Sequence, residues 1–279
     1  MADAAHTQQE RFVGMFGRAA ATYDRIGPRF FAYFGQRLVE HAQLIPGADV
    51  LDVATGRGAV LFPAGQQVGE GGWVWGTDLS ADMVRETLAD IRNAGWQHVT
   101  MQQMDAEQLD FPAAFFDRVL CGFSLWYFPQ PHCALNEFFR VLRPGGRVGL
   151  TTWSVDCPFI LWFLREFAAC LPPQVVPAPG SLDVPRFDTP QRLEAALQQA
   201  GFVDICITVE EADFVYAQDE EWWLSLWSHG VRELLEQLEA PALAQVKADM
   251  LRRVLALKQA DGIHTPFRAL CAVATKPVS

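Results

Sequence analysis

Hydrophobic positions change period along the chain, and the changes mark its elements. Residues 7–22 mix Phe12, Val13, Met15 and Phe16 with small and charged residues, which predicts a short helix ending before Tyr23-Asp24. From Pro28, the residues Phe30, Phe31, Tyr33, Phe34, Leu38 and Val39 recur at helical spacing and give one broad aromatic face. Short apolar runs then alternate with helical patterns. Strands are expected at 49–54, 73–78, 98–104, 117–122 and 146–153, and helices from 58, at 80–94 with Ser80 as N-cap, and at 132–142. The last strand follows the turn Arg143-Pro144-Gly145-Gly146. Such alternation predicts a parallel, doubly wound α/β sheet whose ligands sit beyond the carboxyl ends of the strands.

After Trp153 the rhythm is different. An aromatic helix is expected at 158–171, a proline-rich loop at 172–188 (Pro172, Pro173, Pro177, Pro179, Pro185), and a helix at 190–200 stopped by Gly201. A strand near 203–209, the tryptophan-dense 222–227, two helical runs broken by Pro241 and a closing strand at 267–275 complete the chain. The helices at 1–44 precede the first strand and have no sheet of their own, so they are either core packing or a lid. The expected organisation is therefore a lid at 1–44, a ligand-binding core at 45–155, a cap helix and proline-rich loop at 156–188, and the end of the sheet at 189–279 with cap helices inserted at 217–262.

The stretch Val50–Gly58, V-L-D-V-A-T-G-R-G, joins a buried strand to a helix through Ala54, Thr55, Gly56 and Gly58. The dinucleotide fingerprint would need a glycine at position 61, which is Leu61, and no Gly-Lys-Ser/Thr follows to grip phosphate. A glycine-rich loop without a phosphate grip suits an adenosine ligand lacking phosphate, of which S-adenosylmethionine is the obvious one. Asp78 stands 22 residues after Gly56, where an open α/β sheet offers a carboxylate to ribose hydroxyls; as a plain helix N-terminal acid it would contribute only a few tenths of a kcal/mol. Asp105, in Q-M-D-A-E-Q-L, can accept from an adenine amino group while Ala106 offers its backbone N–H. With Asp52 these make three acids at three consecutive strand ends.

Composition narrows the partner. The chain has 279 residues, half of them hydrophobic, and a net charge of −11, so a phosphate backbone would be repelled. The only Pro-Pro is followed by Gln174, so the Pro-Pro-aromatic motif of amino-methylating DNA enzymes is missing. A small-molecule substrate is expected, with no nucleic acid. The polar start and the absence of any apolar run near the ~20 residues of a membrane span lead to the expectation of a cytoplasmic protein without a membrane segment. Six dispersed cysteines without a C-x-x-C pair read as free, mostly buried thiols rather than a metal site. A homodimer stays open.

Val50–Gly58, Thr77-Asp78-Leu79-Ser80 with Met83, Met104-Asp105-Ala106, Phe116-Asp117-Arg118-Val119 and Leu142-Arg143-Pro144-Gly145-Gly146 resemble, in order and spacing, the motifs of class I S-adenosylmethionine-dependent methyltransferases. The resemblance covers roughly residues 45–155, with weaker echoes at Tyr23-Asp24 and Phe187–Phe202. Ala54 stands for the first glycine of the loop, as in the branch that looks like ubiquinone/menaquinone C-methyltransferases and small-molecule methylases. It implies a Rossmann-like seven-stranded sheet with the last strand antiparallel, under a helical cap. It further implies that Asp52, Gly56 and Gly58 seat the methionine side, Asp78 holds the ribose and Met83 neighbours the adenine. Asp105 and Ala106 would hold the adenine edge, the backbone near Gly122 would face the methionine amino group, and Tyr23 would close over the methionyl end.

Many such relatives carry a histidine pair or Arg-Asn after the fourth strand, where this chain has Leu125-Trp126-Tyr127-Phe128. That departure favours an apolar or aromatic acceptor over a quinone, with Phe30, Tyr33, Phe34, Trp126, Tyr127, Trp153 and Trp227 as candidate pocket residues. A sulfonium methyl is already activated, so positioning supplies much of the catalysis, and aromatic faces such as Trp126 or Phe123 add about 0.5–2 kcal/mol at the cationic sulfur. His229, in W-S-H-G, is the candidate base, against the plainer reading of a hydrogen-bonded core histidine; His132 and His264 read as structural. Two other functions keep the fold: cyclisation or rearrangement with the cofactor bound but no methyl transfer, and a non-enzymatic binding module.

Overall fold

The computed structural model describes residues 2–175 and 186–278. In chain order the elements are α1 (Ala2–Ala19), α2 (Phe30–Ala42), β1 (Asp49–Val53), α3 (Leu61–Val68), β2 (Trp73–Asp78), α4 (Ala81–Asn93), β3 (Val99–Gln103), β4 (Phe116–Gly122), α5 (Pro131–Val141), β5 (Leu142–Trp153), α6 (Pro158–Cys170), α7 (Pro190–Gln199), β6 (Val203–Tyr216), α8 (Asp219–Leu226), α9 (Arg232–Leu235), α10 (Ala240–Val254), β7 (Lys258–Gln259) and β8 (Gly262–Thr275). Within the sheet the order is β3-β2-β1-β4-β5-β8-β6, with the two-residue β7 paired to β8. β1 to β5 run parallel, and β8 runs antiparallel to both its neighbours.

Strand alternation feeds two cores. Leu51 and Val53 point to one face, where α5 and α7 bring Leu135, Phe138, Leu193 and Leu197. Val50 points to the other, onto Leu38 and Val39 of α2 and Leu61 and Ala64 of α3. Apolar side chains on both faces are what a parallel sheet covered by helices requires. A third core, built by Trp222, Trp223, Leu235, Val246 and Met250 around Phe167 and Ile263, belongs to the cap. No helix among the described residues is long and apolar enough to cross a membrane.

The two antiparallel-paired strands β6 and β8 depart most from expectation. β6 runs to Tyr216 rather than 209, and β8 begins at Gly262 rather than 267. Charged residues and a proline break the alternation there, yet each acid has a partner: Glu210 pairs with Arg37 and His41, Glu211 with Arg268 and Asp213 with His264. β5 pairs with β8 only over Ala269–Thr275, so the far half of the β6–β8 hairpin projects past the sheet and carries α8–α10. β5 likewise starts at Leu142 instead of 146, α3 starts at Leu61 instead of 58, and Pro241 opens α10 at its first turn instead of breaking a helix. Of the proline-rich stretch, Pro177, Pro179 and Pro185 lie outside the described residues. The cysteines are free; Cys121, Cys157 and Cys271 are buried, whereas Cys206 is exposed on the edge strand β6.

Candidate functional site

The strand order reverses between β1 and β4, and the cleft opens at their carboxyl ends. It has two lobes, which share Tyr23, Ala54, Gly56, Phe123 and Ser124 as lining. Ala54 and Phe123, the residues immediately after the two strands, both hold positive φ (54° and 56°), an uncommon conformation for residues with a side chain. Gly56 and Gly58 follow at 54° and 82°. The loop is tied down by Thr55, whose N–H donates to the Thr77 carbonyl at 2.9 Å and whose hydroxyl donates to the Asp52 carbonyl at 2.8 Å. From the other side α2 presses on it: a Cβ on Gly35 would stand 2.1 Å from the Ala59 oxygen.

Asp78 serves the loop and the following helix together. Its Oδ2 accepts from the Gly56 N–H at 2.8 Å and its Oδ1 from the Ser80 N–H at 2.9 Å, while the Ser80 hydroxyl caps α4 at Met83. Burial raises the carboxyl pKa, and the backbone donors at Ser80, Gly56 and Leu79 oppose the rise. Each oxygen keeps a lone pair for a further donor. Asp52 is fully buried; desolvation raises its pKa well above the usual range and its Oδ2 has no hydrogen-bond partner, nor has the hydroxyl of Thr151 in the same lobe. Asp24 also lines this lobe, its carboxyl pushed up to about 6 by burial against the pull of Arg29.

The first lobe is roofed by α1. Gln9 Nε2 donates to Asp105 Oδ2 at 3.1 Å, and Asp105 Oδ1 accepts from the Glu107 N–H at 2.9 Å. Phe12 and Phe16 meet the Tyr127 ring edge-to-face at 5.0 and 5.1 Å. Tyr23 lies over Gly56, where a Cβ would come 3.8 Å from its ring, and stacks on Phe31 at 5.4 Å. The roof is strapped to the cap by Arg11–Glu233 and Arg18–Glu236 ion pairs at 2.6 Å.

Of the residues expected around a cofactor, all but Gly58 line one lobe or both: Asp78, Leu79, Met83, Asp105 and Ala106 the first, Asp52, Thr55 and Gly122 the second. Gly58 instead admits the Phe62 ring, 2.4 Å from where its Cβ would stand. Of the expected acceptor-pocket residues only Tyr127 lines a lobe. Phe30, Phe34 and Trp153 form an aromatic cluster with Phe123, Phe214 and Phe267 behind it. Tyr33 is 40% exposed on that cluster's rim, Trp126 turns its indole N–H to the Phe123 carbonyl at 3.0 Å, and Trp227 packs in the cap core.

His229 packs on Phe30, Phe31 and Tyr23 at 4.8, 5.7 and 6.0 Å, its pKa lowered to about 4 by burial. His264 bridges Asp213 and Asp261, and His132 sits in the first turn of α5. Sequence reading missed Gln9, Arg57 and Thr151. Arg57 lies inside the glycine loop motif, donates to the Ala20 carbonyl and Asp90, and keeps a buried, unpartnered Nε in the second lobe. Among the described residues no group of three or more His, Cys, Asp or Glu could hold a metal.

Comparison with known proteins agrees with this geometry. A methyltransferase domain profile matches residues 50–146. The nocamycin O-methyltransferase of Saccharothrix syringae is 34% identical over 252 residues, covering 87% of this chain and 90% of that protein. The aklanonic acid methyltransferase DauC of Streptomyces sp. (strain C5) is 36% identical over 157 residues, 56% of this chain and 71% of its own. Among solved structures, the cyclase SpnF superposes with a TM-score of 0.57 at 23% identity, over 92% of this chain and 85% of that one, a likeness of fold alone. The chain belongs to the S-adenosylmethionine-dependent methyltransferases, with S-adenosylmethionine as its cofactor.

Proposed function

We propose that this protein methylates an oxygen of a hydrophobic, aromatic small molecule of secondary metabolism. What carries the reading is the two-lobed cleft itself: Asp52, Asp78 and Asp105 stand at the ends of β1, β2 and β3, and four of the residues with a buried, unpartnered polar atom, Asp24, Asp52, Arg57 and Thr151, line the second lobe while none lines the first. That is the asymmetry of a ligand with a nucleoside at one end and a zwitterionic amino acid at the other. In this reading Asp78 holds the ribose hydroxyls, Asp105 and the Ala106 N–H the adenine edge, and Met83 and Leu79 its faces. Asp52, Thr151 and the backbone at Gly122 meet the methionyl amino group, and the Arg57 guanidinium meets the carboxylate. Tyr23 and Phe123 flank the junction of the lobes.

The bound cofactor supplies a methyl already activated by its positive sulfur. The protein's part is to hold the acceptor in line and dry, a contribution that reaches about 7–11 kcal/mol in well-oriented systems. Oxygen as the acceptor atom is supported by the name of the nocamycin O-methyltransferase, secondary metabolism as the setting by the likeness to the nocamycin and aklanonic acid enzymes, and an apolar acceptor by the ring-rich cluster next to Phe123.

Calorimetric titration with S-adenosylmethionine tests the cofactor site, and product mass tests the reaction. A product heavier by one methyl is expected. A product of unchanged mass would assign the protein to the rearrangement class instead.

A further inference from the structure

The unpartnered atoms of the second lobe belong to the carboxyls of Asp24 and Asp52, the guanidinium of Arg57 and the hydroxyl of Thr151. Arg57 is balanced by its ion pair with Asp90. Two carboxyls in one buried lobe are costly unless a cation comes to each, so the lobe is built for a ligand with more than one positive group.

Asp24, in the connection between α1 and α2, is only 4% exposed. Its Oδ2 accepts from the Ala32 N–H in the first turn of α2 at 3.1 Å and faces the Arg29 guanidinium at 3.9 Å, whereas its Oδ1 has no partner. The Arg29 side chain is 60% exposed, so water and salt screen its charge. A helix cap needs one acceptor oxygen, which an asparagine would supply equally well. The second oxygen, buried against the lobe, is what capping leaves unexplained.

A charge count separates the two ends of the reaction. S-adenosylmethionine carries an ammonium, a carboxylate and a sulfonium, and S-adenosylhomocysteine lacks the third, because the S–C electron pair stays on sulfur when the methyl leaves. With Asp52 on the ammonium and Arg57 on the carboxylate, Asp24 has a cation to face when the cofactor is bound and none when the product is.

We infer that Asp24 is the counter-charge of the sulfonium, a specificity residue that makes the site hold the charged cofactor more tightly than its neutral product. This rests on the methyl-transfer reading with the methionyl end in the second lobe. The carboxylate needs no contact with the acceptor for this, because in a buried site a charge acts across the lobe.

The preference depends on pH. Burial pushes the Asp24 carboxyl up to about 6 against the pull of Arg29 and of the Ala32 and Phe31 N–H groups. The other titratable and charged groups around it are Tyr23 beside it, Tyr216 from β6, and Asp52 and Arg57 in the same lobe. Burial raises both tyrosines, which stay neutral at pH 7. The sulfonium favours the ionised carboxyl, and the neutral thioether favours the protonated one. Rising pH therefore strengthens cofactor binding, weakens product binding, and widens the ratio of the two affinities by about tenfold between pH 5 and 7.5.

Calorimetric titration of the full chain with S-adenosylmethionine, S-adenosylhomocysteine and sinefungin, an analogue with an amine in place of the sulfonium, tests the inference at pH 5, 6 and 7.5. In wild type the ratio of cofactor to product affinity climbs with pH, and sinefungin follows the cofactor. Asp24→Asn, which keeps the acceptor for the Ala32 N–H, weakens S-adenosylmethionine by about tenfold or more, leaves S-adenosylhomocysteine as tight or tighter, and gives a ratio flat in pH. Asp52→Asn weakens both ligands alike. A wild-type ratio flat in pH overturns the inference, as does sinefungin following the product, an Asp24→Asn ratio equal to that of wild type, or an equal loss of both ligands in that variant. Asp52→Asn without effect on either ligand sinks the placement of the methionyl end instead, and the wild-type arm needs no variant to fold.

Discussion

Gln9 and Asp105, 96 residues apart, are joined by a 3.1 Å hydrogen bond across the mouth of the first lobe. α1 has no place in the sheet, and this bond, Gly17 against Asp82, and the ion pairs to Glu233 and Glu236 hold it down. Each exposed ion pair contributes about 0–1 kcal/mol, so the burial of Met15 and the contacts of Phe12 and Phe16 with Tyr127 hold most of the roof in place.

Gln9→Ala removes the tie at the mouth without removing the Asp105 carboxylate. Cofactor association and dissociation are both expected to quicken, while affinity changes less than about fivefold, since one neutral donor is worth about 1 kcal/mol. Stopped-flow fluorescence reads both rates; an unchanged dissociation rate would mean that α1 does not gate the cleft.

Asp78→Ala removes the proposed ribose partner and also the acceptor for the Gly56 and Ser80 N–H groups. Two charge-assisted hydrogen bonds at about 1.5–3 kcal/mol each give an expected loss of affinity of about a hundredfold or more by calorimetry. Binding undisturbed in this variant would remove Asp78 from the site.

Gly35→Ala probes the floor of the second lobe, which Phe31 and Gly35 of α2 line. Its Cβ would stand 2.1 Å from the Ala59 oxygen and 3.1 Å from the Val60 nitrogen, both backbone atoms that cannot turn aside. Overpacking of this kind costs about 1–3 kcal/mol. The variant should melt several degrees lower and bind cofactor more weakly, because the displaced segment continues Thr55-Gly56. Equal melting temperatures for variant and wild type would show that α2 rides freely on the loop.

The core of the fold and the acids of the cleft were legible in the sequence because each is a local matter. Val50 and Leu51 alternate between faces, and Asp52, Asp78 and Asp105 sit at the strand ends where the alternation places them. Contacts made at long range were not legible. Glu210, Glu211 and Asp213 read as the end of a strand because their partners Arg37, Arg268 and His264 lie elsewhere in the sequence. Gln9 is one polar residue on a polar helix until Asp105 faces it. Arg57 stood within the motif but could not be assigned to the lobe until Ala20 and Asp90 fixed its direction. Trp126 looked like a stacking platform from its position after β4, yet the Phe123 carbonyl, left free by a backbone at positive φ, captures its indole N–H.

Two buried groups with opposed linkage make stability between pH 4 and 6.5 a further test. The folded pKa of His229 is about 4 against 6.5 for the free side chain, so the unfolded chain binds the extra proton; its contribution is complete above pH 6.5 and lost as pH falls towards 4. For Asp24 the folded value is about 6 against 3.8, so the native state keeps the proton longer; its contribution is complete below 3.8 and lost as pH rises towards 6. At about 1.4 kcal/mol per pH unit the two amount to roughly 3 kcal/mol each and nearly cancel. Replacing one group unmasks the other. His229→Gln should gain stability relative to wild type as pH falls from 7 to 5, whereas Asp24→Asn, which can still accept from the Ala32 N–H, should lose it. Melting curves of the three proteins at pH 5, 6 and 7 decide the matter: curves that stay parallel would mean that neither group is buried as described, while divergence of opposite sign for the two variants is the expected result.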